Sequence, residues 1–199
     1  VDATGRVSAA AIVLAGGRAS RLDGAAKPLL KVGGRTLLDG VVAALADAGF
    51  EPIVVSGPPL PTARPVVRVR EHPPFGGPVA GIAAGLGAVA AEHVALLAAD
   101  LARPAAVLAA LRPHVGELAA ADAVCLADPD GHAQWLAGLY RAEALCRGLA
   151  ALPDGGRDAS LRALLRGLRV VTVTASREAV LDVDTWQDLD QARASEETT

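Results

Sequence analysis

Short apolar runs that never alternate with polar residues recur along this chain, at residues 10–14, 53–56, 66–69, 94–98 and 170–173. A strand exposed on one face would alternate, so such runs predict strands covered on both faces, as in parallel sheets flanked by helices. Helical patterns lie between them. Leu37, Leu38, Val41, Val42 and Leu45 recur at helical spacing, with Thr36 as the N-cap and Gly49 as the stop. Residues 78–91 and 104–111 predict two further helices, each with a proline at or near its first turn. The alternation predicts a doubly wound α/β sheet with right-handed crossovers.

The second half changes character. Residues 123–127 and 134–140 predict two strands joined by the turn-forming DPDGHA, an antiparallel pair at one side of the sheet. Helices are predicted at 141–151 and 158–168. A short strand, DVD, and a helix capped by Thr185 occupy 181–193, and residues 195–199 are expected to fray. With no internal repeat and no long linker, residues 1–199 read as one domain, with a first half at about 9–110 and a second at about 120–194.

Composition excludes several functions. A net charge of −3 without a basic cluster predicts no nucleic-acid partner. No apolar stretch reaches the ~18 residues that a membrane span needs. The apolar run at 9–15 is too short for a secretory segment and breaks into glycines and charges. Cys125 and Cys146 read as reduced core thiols, which predicts a cytoplasmic setting. His72, His93, His114 and His132 lack zinc-ligand spacing, and Ser20 has no nucleophile elbow around it. Trp135 and Trp186 are expected to pack.

The loop after the first strand carries the chemistry. Residues 14–28 read LAGGRASRLDGAAKP, and of the chain's 19 basic residues the two lysines, Lys27 and Lys31, lie in or just after it. Ligands of open α/β sheets bind beyond the carboxyl ends of strands. Gly16 and Gly17 free backbone N–H groups to form an anion nest, and Arg18, Arg21 and Lys27 add charge. A triphosphate is the predicted ligand. The loop has neither the GxGxxG of dinucleotide sites nor the Gly-Lys-Ser/Thr of Walker loops. Asp100 ends the run HVALLAAD and is either an N-cap for the helix near Pro104 or a ligand for a hard cation such as Mg²⁺. Asp184 reads either as a second ligand or as part of the turn before Thr185.

The pattern LAGG-x3-R-x2-G-x2-K resembles the signature loop of nucleotidyltransferases with a glycosyltransferase-A-like fold. Together with KVGGRTLLDGVVAAL, GGPVAGIAAGL, LLAADLARP and LDVDTWQDLDQA, it is most similar to the molybdenum cofactor guanylyltransferases. The resemblance implies a Rossmann-like three-layer sandwich of the nucleotide-diphospho-sugar transferase type, its sheet mostly parallel with an antiparallel portion. It implies transfer of an NMP from an NTP, GTP first among them, to a phosphorylated acceptor such as molybdopterin, with release of pyrophosphate. The first half would bind nucleotide and the second half acceptor, with transient contact to cofactor-handling proteins. Leu14, Ala15, Gly16 and Gly17 would line base and phosphates. Arg21, Lys27 and Asp100 would be catalytic, the first two on the triphosphate and Asp100 on Mg²⁺. Ser56 and Glu71, with His72 as the rival of Glu71, would contact nucleotide; Asp184 would be a second metal ligand. Tyr140, Arg141 and Asp182 would face the acceptor. Ala26 stands where the family has Asp, no flanking Pro accompanies Asp100, and Asp182 and Asp184 replace asparagines. Two alternatives therefore stay open: a cytidylyltransferase or relative with another acceptor, and a non-catalytic nucleotide-binding accessory domain.

Overall fold

A computed structural model describes residues 9–16 and 26–196. The chain begins with β1 (Ala9–Leu14), whose residues are buried beyond the first. A 3-10 turn at Lys27–Leu29 leads into a small hairpin, β2 (Lys31–Val32) and β3 (Arg35–Thr36). Gly33 and Gly34 turn it at φ 55° and 76°, a left-handed pair suited to a tight hairpin. Helix α1 (Leu37–Asp47) starts where expected: the Thr36 hydroxyl accepts the Asp39 N–H at 3.1 Å. Gly49, at φ 85°, ends it.

β4 (Ile53–Ser56), β5 (Val67–Val69), α2 (Gly77–Leu86), β6 (His93–Ala98) and α3 (Pro104–Leu111) complete the first half. The second half holds β7 (Ala123–Ala127), β8 (Ala133–Arg141), α4 (Ala142–Ala150), α5 (Leu161–Leu164), β9 (Val170–Thr174) and α6 (Trp186–Glu196). The sheet order is β5-β4-β1-β6-β8-β7-β9. Pairing is parallel except along β8, which runs against both β6 and β7. The antiparallel strand thus lies inside the sheet.

Both faces of β1, β4 and β6 are covered, which is why their runs do not alternate, whereas the edge strands β5 and β9 remain partly exposed. Ala11 and Val13 of β1 pack with Leu38 and Val41 of α1 and Val107 and Leu111 of α3. Ile12 and Leu14 face the other way, towards Val79 and Ile82 of α2, Leu145 of α4 and Leu164 of α5. Helix α2 can approach β1 closely because Gly85 has no side chain. A Cβ there would lie 2.7 Å from Ile12, which is fully buried.

Several expectations are corrected. The helix expected over 78–91 ends at Leu86, where the N–H groups of Ala88 and Val89 fold back onto the carbonyls of Gly85 and Leu86. The helix expected over 158–168 is the single turn α5, capped by the Ser160 hydroxyl. Asp158 cannot open a helix because its backbone is left-handed, at φ 56°. Helix α6 continues through residues expected to fray, to Glu196. Cys125 is a buried thiol, pushed by burial up to about 11, whereas Cys146 is exposed because α4 buries Ala144, Leu145 and Gly148 instead. Trp135 packs against the α2 side, but Trp186 is 47% exposed. Among the described residues no helix is long and apolar enough to cross a membrane.

Two outcomes follow from this packing. Gly85→Ala should lower stability by about 1–3 kcal/mol in urea unfolding, since Ile12 has nowhere to move and overpacking outweighs the gain in helix propensity. Asp122 joins three elements: its carboxylate accepts from Arg147 of α4 at 2.7 Å and from the Arg169 N–H before β9 at 2.9 Å. The Arg169 N–H, then Arg147, holds this carboxyl below its usual range despite some desolvation. A depressed folded pKa stabilises above the unfolded value and is lost as pH falls through the folded one. Asp122→Ala should therefore destabilise fully at pH 7, and its difference from wild type should shrink below pH ~4.

Candidate functional site

Three parallel strands end side by side, with Leu14 of β1 between Ser56 of β4 and Ala98 of β6. The Ala15 N–H donates to the Ser56 carbonyl at 2.9 Å, and the Ala99 N–H donates to the Leu14 carbonyl at 3.0 Å. The chain thus leaves the sheet at Ala15 and Gly16 through a gap that its neighbours define. Gly57 must pass close beside this exit: a Cβ there would lie 2.9 Å from Ala15 C and Gly16 N. Ser56 is buried, and its hydroxyl donates to the Gly81 carbonyl at 2.8 Å, which ties α2 to β4.

Asp100 lies just beyond β6. It does not cap α3, whose N-cap is Arg103 with no side-chain bond, so the capping reading falls away. The segment instead pairs with the chain's closing stretch through a bridge between Leu101 and Asp182. The Val183 N–H donates to the Asp100 carbonyl at 3.1 Å and the Ala102 N–H to the Leu181 carbonyl at 3.0 Å. Asp184 follows, held by the start of α6. One oxygen of Asp188 accepts the N–H groups of Asp184 and Thr185 at 3.1 and 2.7 Å, while the Asp188 N–H donates to the Thr185 hydroxyl at 3.2 Å. This reciprocal cap bears out Thr185 as the helix start.

Lys27 meets these acids from the opposite end of the sequence. Its ammonium donates to Asp184 Oδ1 and lies 3.9 Å from Asp100 Oδ2. A small core of Val32, Leu37, Val183, Leu189 and Ala192 fastens the β2–β3 hairpin to α6. Arg193 adds a bond from Nε to the Lys31 carbonyl at 3.2 Å. The pairing of Lys27 with Asp184 is therefore supported from both sides.

Three carboxylates share this one ammonium among the described residues. Burial, then the charges of Asp100 and Asp184, push the Asp182 carboxyl up to about 7, against the pull of Lys27. Burial likewise raises Asp100, again opposed first by Lys27. Asp182 Oδ1 is buried and has no hydrogen-bond partner among the described residues. An under-compensated carboxylate cluster with one buried, unpartnered oxygen fits a hard divalent cation, which binds carboxylates and fills its remaining positions with water and phosphate oxygens. A second acidic group, Asp128, Asp130 and His132, lies apart in the β7–β8 turn. There Asp128 accepts the N–H groups of Asp130 and His132 at 3.0 and 2.8 Å, and Arg177 donates to Asp130 at 2.6 Å, so its contacts are those of a turn.

A cavity of about 790 Å³ opens over the strand ends. Of the residues singled out in the sequence, Leu14, Ala15, Gly16, Lys27, Ser56, Glu71, Asp100 and Asp182 line it, and Asp184 joins them through Lys27. Gly17, Arg18, Ser20 and Arg21 lie outside the described residues. Tyr140 and Arg141 are corrected. Because β8 runs against β6, Arg141 pairs with His93 and Tyr140 with Val94, at the edge of the sheet away from Asp100. Tyr140 is fully buried and its hydroxyl donates to the Trp135 carbonyl at 2.7 Å. His72 is exposed and does not line the cavity, whereas Glu71 does.

The sequence reading missed Gly57, Arg70, Phe75, Leu136 and Asp158, which also line the cavity. Leu136 enters because residues 135–137 of β8 have no partners on β7, a register shift with no signal in the apolar pattern. Asp158 arrives through its N–H bond to the Gly76 carbonyl at 2.7 Å. The DGGRD stretch before it was the available cue.

Residues 11–175 match the MobA-like NTP transferase domain. The molybdenum cofactor guanylyltransferase of Acidiphilium cryptum (strain JF-5) is 34% identical over 191 residues, covering 92% of this chain and 93% of that protein. The crystal structure of molybdopterin-guanine dinucleotide biosynthesis protein A from Archaeoglobus fulgidus superposes with a TM-score of 0.68 at 21% identity, over 95% of this chain and 99% of that one. The manganese complex of Rv0371c from Mycobacterium tuberculosis H37Rv does so with a TM-score of 0.68 at 20% identity, over 95% and 100%. This chain belongs to the MobA-like NTP transferase family.

Proposed function

We propose that the chain transfers GMP from GTP to the phosphate of molybdopterin, with Mg²⁺ held at Asp100 and Asp184, and releases pyrophosphate. The observation that carries this reading is Lys27 set between Asp100 and Asp184 at the mouth of the cavity, with the unpartnered oxygen of Asp182 beside them. The family relationship supports GTP and the molybdopterin acceptor, through the guanylyltransferase of Acidiphilium cryptum. On this reading residues of about 9–110 take the nucleotide and those of about 120–194 the acceptor, in the cytoplasm, with cofactor-handling proteins as transient partners.

The reaction needs positioning more than proton transfer. An oxygen of the acceptor phosphate forms a bond to the α-phosphorus while the bond to the β-phosphate bridging oxygen breaks in line. The attacking phosphate is already anionic, so no side chain has to remove a proton. The difficulty is the meeting of two polyanions. The Ala15 N–H is engaged by the Ser56 carbonyl, which leaves the Gly16 N–H to approach the phosphates, and Arg21 would add positive charge to the triphosphate. Lys27 is a point charge on a flexible stem, able to leave Asp184 and follow the leaving pyrophosphate. Mg²⁺, when bound, neutralises charge on the phosphate oxygens. Asp100, tied to the closing segment before any ligand arrives, needs little reorganisation to act on the transition state.

Pyrophosphate release with molybdopterin and GTP, CTP or ATP tests the proposal. GTP with Mg²⁺ should be turned over fastest. Lys27→Ala and Asp100→Ala should each lower the rate by about 10²–10³ while melting stays near that of wild type. Near wild-type rates in either variant would refute these roles. Preference for CTP would make the chain a cytidylyltransferase, and GTP binding without release under any acceptor would make it an accessory domain.

A further inference from the structure

Phe75 stands out among the exposed apolar side chains. Val67, Val115 and Trp186 are 43%, 41% and 47% exposed, and none of them lines the cavity. Phe75 is 62% exposed and does line it. Its backbone sits at φ 66°, a left-handed conformation unfavourable for a bulky residue. Two neighbours hold it there. The Phe75 N–H donates to Glu71 Oε1 at 2.9 Å, and the Arg70 guanidinium lies over the ring, 5.5 Å from its centroid. The protein therefore positions an aromatic ring by a specific bond and a cation–π contact, yet leaves it mostly in water. Burial does not repay that arrangement; a flat ligand stacked on the ring would.

The location selects which flat ligand. Phe75 follows β5, at the edge of the order β5-β4-β1-β6, whereas Asp100 follows β6. Three interstrand steps of ~4.8 Å put about 14 Å between those strand ends, the scale of an extended nucleotide from phosphates to base. We infer that Phe75, backed by Arg70 and positioned by Glu71, is the platform on which the base of the nucleoside triphosphate stacks. The inference rests on the proposed reading of the Lys27–Asp100 end as the phosphate site. Glu71 then acts partly through Phe75, since one of its oxygens is committed to that backbone.

Calorimetric titration without acceptor separates base from phosphate. With Mg²⁺ present, Phe75→Ala should bind GTP about 10-fold more weakly, while inorganic tripolyphosphate binds as to wild type. Phe75→Trp, which keeps a ring, should hold GTP at least as tightly as wild type. Unchanged GTP affinity in Phe75→Ala, or an equal loss of GTP and tripolyphosphate, would overturn the platform. So would Phe75→Trp weakening GTP as much as Phe75→Ala does. Failure of the underlying phosphate reading looks different: wild type would then bind no tripolyphosphate, and the platform would fall with it.

Discussion

One ammonium, shared by acids that arrive from far along the chain, organises this end of the molecule. Lys27 and Asp184 are 157 residues apart in sequence, yet they pair beside the cavity at the ends of β1 and β6. Much else serves that meeting. The bridge between Leu101 and Asp182 carries the closing segment to Asp100, and the Thr185–Asp188 cap fixes where Asp184 begins. The small core beneath α6 fastens the hairpin that carries Lys27. Among the described residues a single ammonium faces three carboxylates, which leaves the group under-neutralised. Such a cluster disfavours its own charged state and favours an incoming cation.

The architecture was legible because the central strands β1, β4 and β6 are covered on both faces. Non-alternating runs found β1, β4, β5, β6 and β9, and the cap residues Thr36 and Thr185 found two helix starts. Local turn chemistry found the β7–β8 connection, where Gly131 turns at φ 84°. What failed depended on register or on backbone sign. Ending a strand does not say which edge of the sheet that end reaches, so Tyr140 and Arg141 were assigned to the wrong side. The helical spacing from 158 onward concealed the left-handed Asp158. For the site, the cavity positions of Leu14, Ala15, Gly16, Lys27 and Asp100 were readable from strand-end position and residue type. Phe75 and Leu136 were not, since a loop conformation and a local loss of pairing bring them to the cavity.

The same region explains why glycine and serine recur where packing would favour larger residues. Gly57 lies against the exit of β1, Gly81 beneath the Ser56 hydroxyl and Gly85 against Ile12. Each lets backbone approach backbone or helix approach strand, which brings α2 up to the strand ends. Clustered, partly desolvated acids and a strained aromatic at the rim work against stability. The two apolar layers around β1 supply the compensation, and they lie directly beneath the site. The stable and the functional halves of the structure are therefore adjacent layers of one design.

On the proposed function, Asp100 and its neighbours join a divalent cation to the polyphosphate beside Lys27. Thermodynamic coupling between Mg²⁺ and GTP measures this directly. Calorimetric affinities for GTP, with Mg²⁺ and with chelator, should differ by about tenfold or more in wild type, and the difference should largely vanish in Asp100→Asn. Equal coupling in the two proteins would contradict the account.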